Sequence, residues 1–221
     1  MGIVTLTGDL GSMGDVGTLV AAQLGYRLVG REIVDEAARS LGWSQEQAEA
    51  FDERTGGFRR WLSDLLERNA AQAMGSDEIG AYATTYGVAV SAVGASSDRY
   101  LDALRTAMAA FANQDNVVLV GRGGQAMFAD RPDAVHVRVV CPLEERIRRI
   151  ARRDRTDLTM ALTTVEESDR QREAWHRKYF GIDYRSPYHY SLAVNTGKLT
   201  DVLAAEVVVC IARQQAAVMA R

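Results

Sequence analysis

Lysine is almost missing from this chain. Of 26 basic residues among 221, only Lys178 and Lys198 are lysines, and the other 24 are arginines. Any chemistry that needs a lysine within the first 177 residues is thereby excluded. Cysteine is equally scarce: Cys141 and Cys210 sit inside apolar runs without metal-type spacing, so they read as reduced core thiols of a cytoplasmic protein. The three histidines, His136, His176 and His189, fall in different elements with no pair at metal spacing, which argues against a zinc centre or a Ser-His-Asp site. An excess of positive charge is also lacking. With a net charge of −3 the molecule is expected to bind neither nucleic acid nor an anionic membrane surface. No stretch reads as the roughly 18 to 20 apolar residues of a membrane span. The opening Met1-Gly2-Ile3-Val4-Thr5-Leu6 has no basic flank or long apolar run of the secretory kind.

What remains is enough for a sizeable core. A hydrophobic content of 47% over 221 residues fits one α/β domain, 1–221, with no repeat, low-complexity tract or linker. Gly2 to Leu6 is a short β-branched strand that breaks into Thr7-Gly8-Asp9-Leu10-Gly11-Ser12-Met13-Gly14-Asp15. Val16, Leu19, Val20 and Leu24 then recur at helical spacing, and Gly25 closes the segment. A second helix fits Glu32 to Ser40, and Ser44-Gln45-Glu46-Gln47 is a capping box opening a third. Residues 57–113 read mainly helical, although periodicity fails between Met74 and Ser97. Asp98 caps a helix carrying Leu101, Leu104, Met108 and Phe111. Asn116-Val117-Val118-Leu119-Val120-Gly121 and Val135 to Cys141 are apolar runs of the kind found in strands covered on both faces. Pro142 is expected at the first position of the next helix. A long charged helical region spans Glu144 to Tyr179. Leu192-Ala193-Val194 is a last strand, and Thr200 caps a helix from Asp201 to about Gln214. Strands alternating with helices predict a parallel sheet with helices on both faces.

Three constellations carry chemistry. Glycines at 8, 11 and 14 let the loop after the first strand turn tightly and expose successive N–H groups beside a helix N-terminus, a concavity suited to anions. A plain tight turn is the other reading. Arg122, in Val120-Gly121-Arg122-Gly123-Gly124, ends a buried strand, and ligands of parallel sheets sit beyond the strands' carboxyl ends. It would point into the cleft of the first loop and grip a phosphate or carboxylate, or else be a solvated turn residue. Residues 146–178 hold ten basic against six acidic residues, a local +4 on a chain of −3, which suits a small polyanion; charge runs on helices are otherwise solvated faces. His176 reads as a surface histidine. The aromatics Tyr179, Phe180, Tyr184, Tyr188 and Tyr190 read as packing of that segment's end against the body.

The glycine-rich loop is followed in order by Gly121-Arg122, Arg131-Pro132-Asp133-Ala134, Pro142-Leu143-Glu144-Glu145-Arg146-Ile147, Asp169-Arg170-Gln171-Arg172 and Leu192-Ala193-Val194-Asn195-Thr196-Gly197-Lys198-Leu199. This succession resembles the cytidylate kinase-like family, among the nucleoside monophosphate kinases of the P-loop fold, over most of the chain and least from Phe58 to Ser97.

The resemblance implies a P-loop NTPase-type α/β fold with a helical insertion (58–113) and a lid (about 149–180). It further implies phosphoryl transfer from ATP, with Mg²⁺, to a cytidylate-like nucleoside monophosphate or other small acceptor. Gly11, Ser12, Met13, Gly14 and Asp15 would form the phosphate cradle, with Asn195 and Thr196 near the adenine. Arg31 and Arg122 would hold the acceptor phosphate. Arg170 and Arg172 would neutralise the transferring group, and Asp169 would orient the acceptor sugar or an arginine. No residue set for a metal is legible.

The chain departs from the family pattern at telling places. Where a P-loop kinase places lysine it has Asp15, or Val16 in the alternative register, so neither supplies a cation. Losing one such preorganised contact typically costs on the order of 3 kcal/mol in the transition state. Cytidylate kinases carry aspartates on both sides of the Gly-Arg pair, and here these are Val120 and Gly123. Val165 stands where an arginine is expected. A second reading is therefore an inactive relative that binds a nucleotide or phosphorylated metabolite as a regulatory protein. A third is a homo-oligomer built through residues 58–111.

Overall fold

The computed structural model describes residues 2–44, 98–114 and 116–219. The helices expected between 45 and 97, and with them most of the 58–113 segment, lie outside these. Five strands, β1 (Ile3–Gly8), β2 (Arg27–Val29), β3 (Val117–Val120), β4 (Ala134–Val140) and β5 (Leu192–Asn195), form one sheet in the order β2-β3-β1-β4-β5. Every pairing is parallel. The helices are α1 (Val16–Leu24), α2 (Arg31–Leu41), α3 (98–112), α4 (Gly124–Met127), α5 (Leu143–Asp154), α6 (Leu158–Phe180) and α7 (Asp201–Met219).

Alternation along the strands feeds two cores. Val4 and Leu6 of β1, with Val118 and the β4 valines, pack against Val16 and Val20 of α1 and Ala204, Val208 and Val209 of α7. Ile3, Val117 and Leu119 pack on the other face against Ile33, Leu104, Met108 and Trp175. Because both faces are covered, these strands read as unbroken apolar runs. The registers Leu6↔Val120, Gly8↔Val139 and Val140↔Asn195 bring the carboxyl ends of β1, β3, β4 and β5 to one edge.

Several boundaries differ from expectation. Pro142 is the N-cap of α5, its ψ of 142° being extended, so the helix begins at Leu143. The single charged region is two helices: Arg155 adopts a left-handed conformation (φ 53°), and Asp157 restarts the chain by accepting the Met160 N–H. Thr200 accepts the Leu203 N–H as expected, but α7 continues to Met219. By length and mean hydropathy (1.5) α7 also has the dimensions of a membrane span, which the run-length reading missed because Glu206 and Arg213 interrupt the apolar sequence. One of its faces is committed to the sheet through Ala204, Ala205, Val208 and Val209. At the far end of α6, a Cβ on Gly123 (φ +72°) would lie 2.4 Å from the Phe180 ring, so only glycine allows this contact.

His136 is a polar residue inside the sheet. Its Nε2 donates to the Phe128 carbonyl at 3.1 Å, which leaves Nδ1 to accept from the Thr5 hydroxyl at 2.8 Å. Burial pushes its pKa below the ordinary 6.5, outweighing the carbonyl bond that favours the charged ring. With the folded value lowered, its stabilising contribution is full above about pH 6.5 and is lost as pH falls toward and through the folded value. Thermal unfolding followed against pH should show stability dropping below about pH 6.5. His136→Gln should be less stable at neutral pH and flatter across that window.

Candidate functional site

The loop Gly8–Asp15 is held by its own backbone. The Ser12 N–H and hydroxyl both donate to the Asp9 carbonyl, at 3.0 and 2.8 Å, and the Val16 N–H donates to Met13. Ser12 is fully buried, so its hydroxyl is committed to this turn. Among the described residues, the N–H groups of Met13 and Gly14 meet no protein acceptor. The last amide of the loop is used differently: the Asp15 N–H donates to Asp201 Oδ2 at 2.9 Å. That carboxylate presses on Gly14 (φ +50°), where a Cβ would fall 2.1 Å from the same oxygen.

Arginines surround this loop. Arg138 of β4 pairs with Asp9 at 2.7 Å, and both side chains are nearly buried. Tyr184 donates its hydroxyl to the other Asp9 oxygen at 2.9 Å, and the Arg138 guanidinium lies 4.9 Å from the Tyr184 ring centre. Burial alone would raise the Asp9 pKa, but attraction to Arg138, its hydrogen bond and that of Tyr184 bring it below the ordinary value. Tyr184 is pushed upward, by burial first and by Asp9 second. From α5, Arg146 binds Asp169 of α6 through two hydrogen bonds of 2.9 and 2.8 Å and reaches the Leu10 carbonyl at 3.4 Å. One turn further, Arg149 donates to the Thr196 hydroxyl (3.0 Å), the Thr196 carbonyl (2.7 Å) and the Gly11 carbonyl (3.3 Å). Ile147, Ile150 and Ala151 of α5, with Ala161 and Val165 of α6, pack around Leu10 of the loop.

A cavity of about 570 Å³ opens between the loop and the α5–α6 pair, and Gly11, Met13, Gly14, Arg149, Arg153 and Arg172 are among the residues lining it. The structure thus brings the loop and Arg172 together. Ser12 lies behind the cavity wall, and Asp15 is exposed at the N-cap of α1. Arg170 is on the opposite side of α6, with 64% of its side chain exposed and a 2.6 Å pair to Glu167. Asp169 is engaged with Arg146, and Arg185 approaches it at 3.8 Å. Arg122 is buried (2% exposed) in a left-handed conformation (φ 57°) and lies outside the cavity lining, as does the exposed Arg31 at the start of α2. Asn195 accepts the Gly197 N–H, and Thr196 donates to the Ser12 carbonyl at 2.7 Å. Asp9, Arg138 and Tyr184 were not legible as site members. The one available signal was a charged Arg138 inside a strand that is otherwise apolar but for His136. Among the described residues, no group of three acidic, histidine or cysteine side chains could hold a metal ion.

The Arg146–Asp169 pair is nearly buried, with 7% and 15% of the side chains exposed. Removing one partner of such a pair strands the other. Arg146→Met should therefore destabilise the protein by roughly 3 kcal/mol in denaturant unfolding. Replacing both partners by apolar residues should recover much of that loss.

Comparison with known proteins agrees with the topology. An uncharacterized protein from Eubacterium ventriosum superposes with a TM-score of 0.63 at 15% identity, over 96% of this chain and 99% of that one. A Thermus thermophilus protein superposes with a TM-score of 0.51 at 18% identity, over 95% and 96%. Shikimate kinase from Acinetobacter baumannii gives 0.47 at 13% identity, over 97% and 94%. At these identities the likeness to the first two concerns the fold alone, a parallel sheet with helices on both faces. No protein of curated function matches the sequence. The model of the cytidylate kinase-like family, however, matches residues 3–198. By that match, which spans every strand and the whole glycine-rich loop, the chain belongs to the cytidylate kinase-like family.

Proposed function

We propose that this nucleotide kinase-like protein transfers the terminal phosphoryl group of ATP to a small phosphorylated acceptor, a nucleoside monophosphate of the cytidylate type being the first candidate. The observation that carries this reading is a single cavity in which Arg149, Arg153 and Arg172 face a glycine-rich loop with unpartnered amides. Phosphoryl transfer asks a protein mainly for positioning and for charge opposite the transferring group, and this cavity offers both.

The residues fit ATP. The Met13 and Gly14 amides would take phosphate oxygens beside the N-terminus of α1, while Arg153 and Arg172 would neutralise the group in transit. Arg146, oriented by Asp169, ties the α5–α6 pair to the loop at Leu10. An acceptor oxygen would form the new bond to the γ-phosphorus as the bond to the bridging β-oxygen breaks, with ADP leaving. Arg31, at the start of α2, would serve the acceptor phosphate, whereas Arg122, in the β3–α4 loop, is buried outside the cavity lining and would have to be uncovered to join it. The described residues do not fit a protein-held Mg²⁺: Ser12 is committed to Asp9 and no acidic trio is present. An ion would arrive on the nucleotide's own phosphates.

A second reading has its own observation. Asp201 occupies the Asp15 N–H and places a carboxylate at the loop, which suits an inactive relative that binds a nucleotide or phosphorylated metabolite. Titration with Mg-ATP should show binding below millimolar ligand, and its absence would sink the kinase reading. Release of ADP over a panel of monophosphates separates them. In an active enzyme, Arg172→Ala should lower kcat by about a hundredfold or more, whereas the inactive relative gives no turnover to lose.

A further inference from the structure

Thr196 stands at a junction that its expected place near the adenine does not explain. It is 3% exposed, and its hydroxyl has one proton to give. Arg149 Nη1, 3.0 Å away, can only donate, so the hydroxyl accepts there and must spend its proton on a carbonyl. Two carbonyls are in reach, Ser12 at 2.7 Å and Val140 at 3.5 Å, and the shorter contact assigns the proton to Ser12.

The peptide joining Ser12 to Met13 is planar and trans, since no cis bond occurs among the described residues, so its C=O and N–H point in opposite directions. Drawing the Ser12 carbonyl toward Thr196 turns the Met13 N–H the other way. Met13 lines the cavity and Thr196 does not. We infer that Thr196, held by Arg149, is a positioning residue that turns the Ser12–Met13 peptide so that the Met13 N–H faces the cavity as a phosphate donor. This rests on the kinase reading above and deepens it: the loop has no lysine to draw in a phosphate, so an amide set in advance carries more of that task. The chain of contacts runs from Glu145, which accepts from Arg149 Nε at 3.2 Å, through Arg149 and Thr196 to the loop carbonyl.

Inorganic pyrophosphate and Mg-ATP are the two probes, titrated into the full chain. Thr196→Val, which removes the donor, should weaken both about tenfold, the worth of one charge-assisted hydrogen bond. Thr196→Ser keeps the hydroxyl and should return both to within about twofold of the parent. In nitrogen-resolved NMR the Met13 amide proton should move downfield with pyrophosphate in the parent and in Thr196→Ser, but not in Thr196→Val. Weaker Mg-ATP with unchanged pyrophosphate in Thr196→Val would place Thr196 on the base side of the nucleotide and overturn the positioning role. So would a parent protein that binds pyrophosphate without any response at Met13, a result that needs no variant to fold. A parent that binds neither probe overturns the kinase reading itself, and this inference with it.

Discussion

The buried pair between Asp9 and Arg138 is the contact on which the site depends. An arginine inside a parallel sheet cannot remain without a counter-charge, because the cost of desolvating it is several kcal/mol. Asp9, the first residue after β1, supplies that charge and is thereby fixed to the neighbouring strand. Tyr184 completes the carboxylate's bonding and closes over the guanidinium. The base of the loop is set by these three side chains from three distant parts of the chain. Arg146 and Arg149 then reach the Leu10 and Gly11 carbonyls from α5.

Much of the sheet was legible in the sequence because a strand covered on both faces leaves an apolar run, and glycines punctuate the turns. Val117–Val120 and Ala134–Val140 lie within a residue or so of where the runs placed them. The break between α5 and α6 was not legible: no glycine or proline marks it, and an arginine takes the left-handed position. The loop was found by its glycines, while its anchors were not, since Asp9 and Arg138 lie 129 residues apart. The pairing of Arg170 with Arg172 as one functional unit was open to a geometric objection. Two residues apart on a helix are about 200° apart around its axis, so both cannot face one cavity. Arg172 faces it and Arg170 faces away.

The scarcity of lysine acquires a structural meaning at α5. A guanidinium offers five donors in a rigid fork, whereas an ammonium is a compact point charge on a flexible stem. Arg149 uses that fork to hold a hydroxyl and two carbonyls from two different loops. A lysine could supply the charge there but not the geometry. The same chain that lacks the usual loop cation thus surrounds the loop with residues that orient its backbone.

The close approach of Phe180 to Gly123 bears on how the α5–α6 pair can move. It pins one end of a helix of 23 residues to the β3–α4 loop. Such a helix is about 34 Å long, so a tilt of roughly 5° about the pinned end carries the other end about 3 Å. The other end follows the turn at Arg155, where Ala161 and Val165 pack with α5 around Leu10. The helix is thus held at two places, at a glycine of the β3–α4 loop and at Leu10 of the glycine-rich loop, and a tilt of the α5–α6 pair has to loosen the second while the first stays closed.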